Sequence, residues 1–142
     1  MIVLFDCNIY DKLIELPEDS LQNILGKITK IIMPQSVRRQ LDMMIDCDNK
    51  MKKLSKINHI IFSFDIEKKL EKVEVIFTDQ ESAYFESLPR KMKNGDKEIA
   101  LTAQKEGAIT ITNDRYFLSG LQLINQPVLS FENFLKMKIF LN

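Results

Sequence analysis

Val3-Leu4-Phe5-Asp6-Cys7-Asn8 closes an apolar run that begins at Met1 and stops at an acid. An unbroken apolar run of this length fits a strand buried on both faces, the kind that parallel sheets use when helices cover them. Its last residue then lies at the carboxyl edge of the sheet, where open α/β folds bind ligands. The chain beyond it follows the same pattern. Pro17-Glu18-Asp19-Ser20 opens a helix with Leu21, Ile24, Leu25 and Ile28 at helical spacing. Thr29 to Met33 is a second β-branched run, halted by Pro34, and Val37, Leu41, Met44 and Ile45 make an apolar stripe on the helix after it. A lysine-rich helix is expected at Asp48 to Ile57, then a strand at His59 to Phe64, a helix at Glu67 to Lys72, a strand at Val73 to Phe77 and a helix at Gln80 to Met92. Gly95 starts a further helix that Gly107 ends as a C-cap. Ala108 to Thr112 is a strand running into Asn113-Asp114, Pro127 to Leu129 a last short strand, and Phe131 to Met137 a closing helix. Strands alternating with helices predict an α/β fold: a three-layer α/β/α sandwich around a mostly parallel sheet of about five strands.

The chain has 142 residues and shows no repeat or linker, so one domain is expected over 1–142. Hydrophobic residues make up 45%, enough for a real core. Apolar runs such as Ile60 to Phe62 are too short to span a bilayer. No basic segment precedes the first apolar run, and Asp6 interrupts it early, so no signal peptide is expected. Cys7 and Cys47 lack disulfide or zinc spacing; reduced thiols in the cytoplasm are the simplest reading. A net charge of zero removes any global pull toward nucleic acid and leaves only local patches. Lys50, Lys52, Lys53 and Lys56 form one, and Arg90, Lys91, Lys93 and Lys97 another. Taken alone, each reads as a solvated face.

Chemistry concentrates in three acids. Asp6 ends the first strand, Asp114 follows a later one, and Asp96 sits in the first turn of the helix that feeds that later strand. One carboxylate at such a place is usually a helix N-cap or turn residue. Three converging on one sheet edge repel one another, a cost that a cation relieves. Oxygen-only ligands point to a hard ion, Mg²⁺ or Mn²⁺. Other chemistries fit less well. His59 is the only histidine, which excludes a His-rich zinc site and leaves a poor Ser-His-Asp option. Gly26-Lys27-Ile28 lacks the upstream glycine and the hydroxyl of a phosphate-binding loop, and no Gly-rich dinucleotide fingerprint follows the first strand. Met43 and Met44 beside Leu41 read as core or partner-facing residues.

These stretches, in order, resemble the PIN (PilT N-terminal-like) domain family. Val3 to Asn8 is similar to its opening, a strand delivering Asp with Asn or Ser two residues on. Ile32-Met33-Pro34 to Val37-Arg38-Arg39-Gln40-Leu41 resembles the second motif, and Gly95-Asp96-Lys97-Glu98-Ile99-Ala100 through Ala103 the third. Ile111-Thr112-Asn113-Asp114 with Phe117 resembles the fourth, and Pro127 to Leu135 the closing strand and helix; residues 46 to 92 carry no matching motif. The resemblance implies metal-dependent cleavage of RNA. Asp6, Asp96 and Asp114 would be the catalytic and metal-holding acids, with Gln40 as a further metal ligand. Asn8 and Thr112 would steady them, and Arg38, Lys91, Lys93 and Lys97 would hold substrate phosphates. Many family members of this size are toxins of toxin–antitoxin pairs, so a small antitoxin and a homodimer are the implied partners beside RNA.

One position departs from the family pattern. The second motif usually has Glu before its Leu, and here that residue is Gln40. An amide offers Mg²⁺ a carbonyl oxygen but no charge. Asp42 and Glu98 do not replace it, since two residues along a helix is about 200° of rotation. A second reading therefore stands: a PIN-like domain that grips RNA or a protein without cutting. A third, a phosphate-accepting receiver, needs an acidic pair at the first strand and a lysine after the last. Asp6 has no acidic neighbour before Asp11, and Ser130-Phe131-Glu132 supplies no lysine.

Overall fold

The computed structural model describes residues 1–43, 74–76, 88 and 92–137. Met44 and Ile45, the elements expected at 48–57, 59–64 and 67–72, nearly all of that at 80–92, and with them Cys47, His59, Arg90, Lys91 and the lysines from 50 to 56, lie outside the described residues. Five strands form one sheet: β1 (Ile2–Phe5), β2 (Lys30–Pro34), β3 (Glu74–Ile76), β4 (Ile109–Ile111) and β5 (Val128–Leu129). Their order is β3-β2-β1-β4-β5, and every neighbouring pair is parallel. The helices are α1 (Cys7–Glu15), α2 (Glu18–Leu25), α3 (Gln35–Met43), α4 (Asn94–Glu106), α5 (Arg115–Leu123) and α6 (Phe131–Lys136).

β1 is central because it is apolar throughout. Val3, Leu4 and Phe5 have no exposed surface, and Ile31, Ile32 and Ile111 on the flanking strands are equally deep. Phe5 packs edge-on against Tyr10 of α1 and Phe134 of α6, with ring centroids 5.8 Å apart in each case. α4 ends as its sequence predicts: Gly107 takes the left-handed conformation, φ 64°, and its N–H donates to the Ala103 carbonyl.

Two helices were not evident from periodicity. α1 contains Ile9 and Tyr10, weak helix formers, and α5 carries Ser119-Gly120 in its middle. Propensity costs here are at most about 1 kcal/mol per residue. Burial outweighs them, at roughly 1.5–3 kcal/mol for each large apolar side chain. α1 buries Ile9, Tyr10 and Leu13, and α5 buries Phe117 and Leu121, four residues apart.

From β1 the chain moves to one side of the sheet for β2 and β3, and β4 and β5 lie on the other. The switch point falls between the carboxyl ends of β1 and β4, and a crevice at such a point is the usual ligand site of open α/β sheets.

Candidate active site at the carboxyl edge of β1 and β4

Phe5 pairs with Ile111, which sets Asp6 beside Thr112 just past the strand ends. The Asp6 N–H donates to the Ile111 carbonyl at 3.0 Å, and the Thr112 N–H to the Leu129 carbonyl at 3.0 Å, so the backbone stays locked up to both residues. Asp6 is the N-cap of α1: Oδ1 accepts from the Cys7 N–H at 2.8 Å. Its other oxygen, Oδ2, accepts from the Thr112 hydroxyl at 2.8 Å, across 106 residues of sequence. That hydroxyl oxygen also accepts from the Asp114 N–H at 3.1 Å. Fully buried Thr112 thus joins two of the three acids.

Asp114 is the N-cap of α5, one oxygen accepting from the Tyr116 and Phe117 N–H groups at 3.0 and 3.1 Å. The turn before it is held by Asn113, whose side-chain oxygen accepts from the Phe131 N–H at 3.1 Å. The two acids that begin α1 and α5 are therefore helix caps as well as candidate site residues. A carboxylate has about four lone-pair positions, and capping uses only some of them.

Asp96 differs. It lies half-buried in the first turn of α4, with no hydrogen bond to its carboxylate among the described residues. Its pKa is pushed up to about 6, first by burial, then by the negative charges of Asp6 and Asp114, with Lys93 opposing. The three acids thus share one edge and feel one another's charge. Among the described residues, however, no three acidic, imidazole or thiol groups are drawn close enough to hold an ion as they stand. The arrangement has a physical cause: like charges repel, and the caps turn Asp6 and Asp114 toward backbone N–H groups.

The other expected residues fall on three elements. Asn8 is exposed on α1, and Gln40 is exposed on α3, the helix after β2. Arg38 lies on α3 as well. Exposed Lys93 precedes α4 and Lys97 stands one turn on, the two flanking Asp96. Glu98, two residues past Asp96, is buried. The Cys7 thiol next to Asp6 is no nucleophile at neutral pH, because burial and the charges of Asp6 and Asp11 push its pKa up to about 11.

Some features were not foreseen from sequence. Gln35 Oε1 and Ser36 Oγ, just past β2, are buried with no hydrogen-bond partner among the described residues. Tyr116, two residues past Asp114, and Leu123, at the far end of α5, stand exposed. Asp114 followed by Phe117 and Leu121 carries the signal that would have revealed α5, an N-cap before an i, i+4 apolar pair.

The Thr112 hydroxyl makes a prediction of its own. Thr112→Val keeps the shape but takes a donor from Asp6 and an acceptor from the Asp114 N–H. A loss of roughly 1–3 kcal/mol in urea unfolding is expected, since a charged and a buried group both lose a partner. No loss would mean that these two bonds do not hold the edge together.

No family sequence model and no curated protein sequence matches this chain. Solved structures do. A chain in the crystal structure of VapBC2 from Rickettsia felis, bound to a DNA fragment from their promoter, aligns with a TM-score of 0.64 and 21% identity over 92% of this chain and 98% of its own length. A PilT N-terminus domain protein from the archaeon Sulfolobus solfataricus P2 aligns with a TM-score of 0.53 and 12% identity over 100% of this chain and 98% of its own. Likeness at such low identity is likeness of fold, and it agrees with the parallel five-stranded sheet. The chain has the fold of PIN domains.

Proposed function

We propose that this protein is a metal-dependent ribonuclease that hydrolyses RNA phosphodiester bonds at the edge formed by Asp6, Asp96 and Asp114. Asp96 carries the reading: a half-buried carboxylate without a hydrogen bond among the described residues, set in the field of two more. Such a group raises the free energy of the folded chain unless a cation is meant to sit there. The donor set is oxygen alone and suits a hard ion. Asp6, Asp96 and Asp114 would hold Mg²⁺ or Mn²⁺, with the Gln40 carbonyl oxygen as a weaker fourth donor. Such an ion supplies an acidified water and positive charge for the phosphate. Thr112 orients Asp6 through its hydroxyl, and the α5 N-terminus orients Asp114. Asn8, at the start of α1, would position a water or a carboxylate. Lys93 and Lys97, with Arg38 and Lys91, would bind the phosphates on either side.

The likeness to VapBC2, crystallised on promoter DNA, supports a place in a toxin–antitoxin pair, with a small antitoxin as partner. A homodimer and a cytoplasmic location belong to the same reading; among the described residues no helix is long and apolar enough to cross a membrane. The direct test is cleavage of single-stranded RNA by the purified chain with Mg²⁺, Mn²⁺ or EDTA. Metal-dependent cleavage is expected. RNA binding without cleavage at any metal concentration would favour the second reading, a PIN-like binding domain, for which Gln40 is the specific support.

Gln40→Glu tests that position. Across about 5 Å at an effective dielectric near 20, each charge pair contributes on the order of 3 kcal/mol per unit charge. Desolvation, repulsion from the other acids and the exposure of α3 remove most of it. Metal binding about 3- to 10-fold tighter by calorimetry is expected, a net gain near 1 kcal/mol. An unchanged affinity would make Gln40 an ordinary residue of α3.

A further inference from the structure

Beside the acids lies a cavity of about 410 Å³. One wall is the site itself, Asp96 and Asp114, with Lys93 next to them; the other is apolar, from Met92, Tyr116 and Leu123. Tyr116 is 93% exposed and Leu123 80% exposed, so two large side chains, two turns apart on α5, face outward without cover among the described residues. Between them Ser119 and Gly120 leave room. A methyl group at Gly120 would come within 3.1 Å of Met92 Cε, so the glycine lets the Met92 side chain pack against α5 at the cavity wall.

We infer that this cavity is a base-binding subsite, which takes one unstacked nucleobase of a single-stranded RNA against the Tyr116 ring while the adjoining phosphate lies at the acidic edge. The inference rests on reading that edge as an RNA site. The continuity of the walls carries it: a ligand in the cavity touches the same Asp96 and Asp114 that would serve the phosphate. The composition fits a base rather than a phosphate. Aromatic and aliphatic groups offer a stacking surface, with the polar Ser119 available to groups on the base edge. Lys93, at the same wall, suits the backbone phosphate. The volume is at the low end for small-ligand pockets, roughly 300–1,000 Å³. A stable protein interface needs about 800 Å² from each partner, far more than two exposed side chains on one short helix provide.

The experiment uses the full chain and a single-stranded RNA oligonucleotide carrying 2-aminopurine, whose fluorescence is quenched on stacking. The protein contains no tryptophan to interfere. Binding is followed in Ca²⁺ and cleavage in Mg²⁺. Wild type is expected to quench the probe. Tyr116→Ala should lose the quench and raise KM about tenfold, within the range of lost base–aromatic stacking, with a smaller effect on kcat. Tyr116→Phe, which keeps the ring, should restore the quench. Tyr116 is almost fully exposed, so neither change threatens folding. Cleavage by wild type with the same KM and quench in Tyr116→Ala overturns the subsite and leaves the ribonuclease reading standing. Quenching that depends on Tyr116, without any cleavage, does the reverse. Neither quench nor cleavage overturns both. A dimer that Tyr116→Ala turns into a monomer in sedimentation makes this face a protein interface and overturns the subsite.

Discussion

Asp96→Asn is expected to lower RNA cleavage by roughly 10²- to 10³-fold, the usual loss when one preorganised electrostatic group is removed, while making the metal-free protein more stable at pH 7. The two effects have one source. In the folded chain the Asp96 pKa is about 6, against an ordinary value of 3.8, because burial and the charges of Asp6 and Asp114 disfavour its ionised form. Below about 4 the group is protonated folded or unfolded and costs nothing. As pH rises from there to about 6, the unfolded chain has released its proton while the folded chain still holds it, so stability falls. Above about 6 the full cost is present. Converted directly it would be about 3 kcal/mol. Asp96 is half exposed, and solvent screening reduces that to about 1 kcal/mol. Asn carries no charge, so the variant should gain about that much over wild type at pH 7 and nothing at pH 4, in EDTA, by urea unfolding. With metal the order reverses. An ion at 100 times its Kd stabilises the folded state by about 2.7 kcal/mol, and the variant should lose most of that gain. A variant equal to wild type in both metal response and pH profile would remove Asp96 from the site.

Phe5→Ala should cost roughly 3–5 kcal/mol, the largest stability loss expected from one substitution here. Phe5 has no exposed surface, ends the central strand, and meets Tyr10 and Phe134 edge-on. The cavity left behind would be flanked by β1, α1 and α6, elements that cannot all close on it. Against a typical total of 5–15 kcal/mol, the variant would be marginal. It should also be a poor enzyme, because Asp6 follows directly and depends on the β1–β4 register. A loss below about 1 kcal/mol in urea unfolding would contradict the packing at the centre of the sheet.

β1 was legible because its residues are apolar without interruption, and β2 because Pro34 marks its end. β3 falls within the run Val73 to Phe77. Gly107 marked the end of α4 for a physical reason, since its backbone needs a left-handed turn. α1 and α5 were hidden because tertiary burial, not propensity, holds them. Their N-caps, Asp6 and Asp114, are visible in the sequence, where each acid reads as either a cap or a candidate site residue. The structure shows both carboxylates acting as caps, which leaves lone-pair positions on each still unused by the cap. The role of Thr112 as a link between Asp6 and Asp114 depends on strand register, which no local pattern encodes.

Metal-dependent RNA cleavage at this edge requires that a cation gather Asp6, Asp96 and Asp114. A crystal of the protein soaked in Mn²⁺ and measured for anomalous scattering decides this. A peak is expected at the carboxyl edge between β1 and β4, within coordination distance of all three carboxylates, and should be lost in Asp96→Asn. No peak there at saturating Mn²⁺, with Asp6 and Asp114 still turned to their caps, would contradict metal-dependent cleavage at this edge.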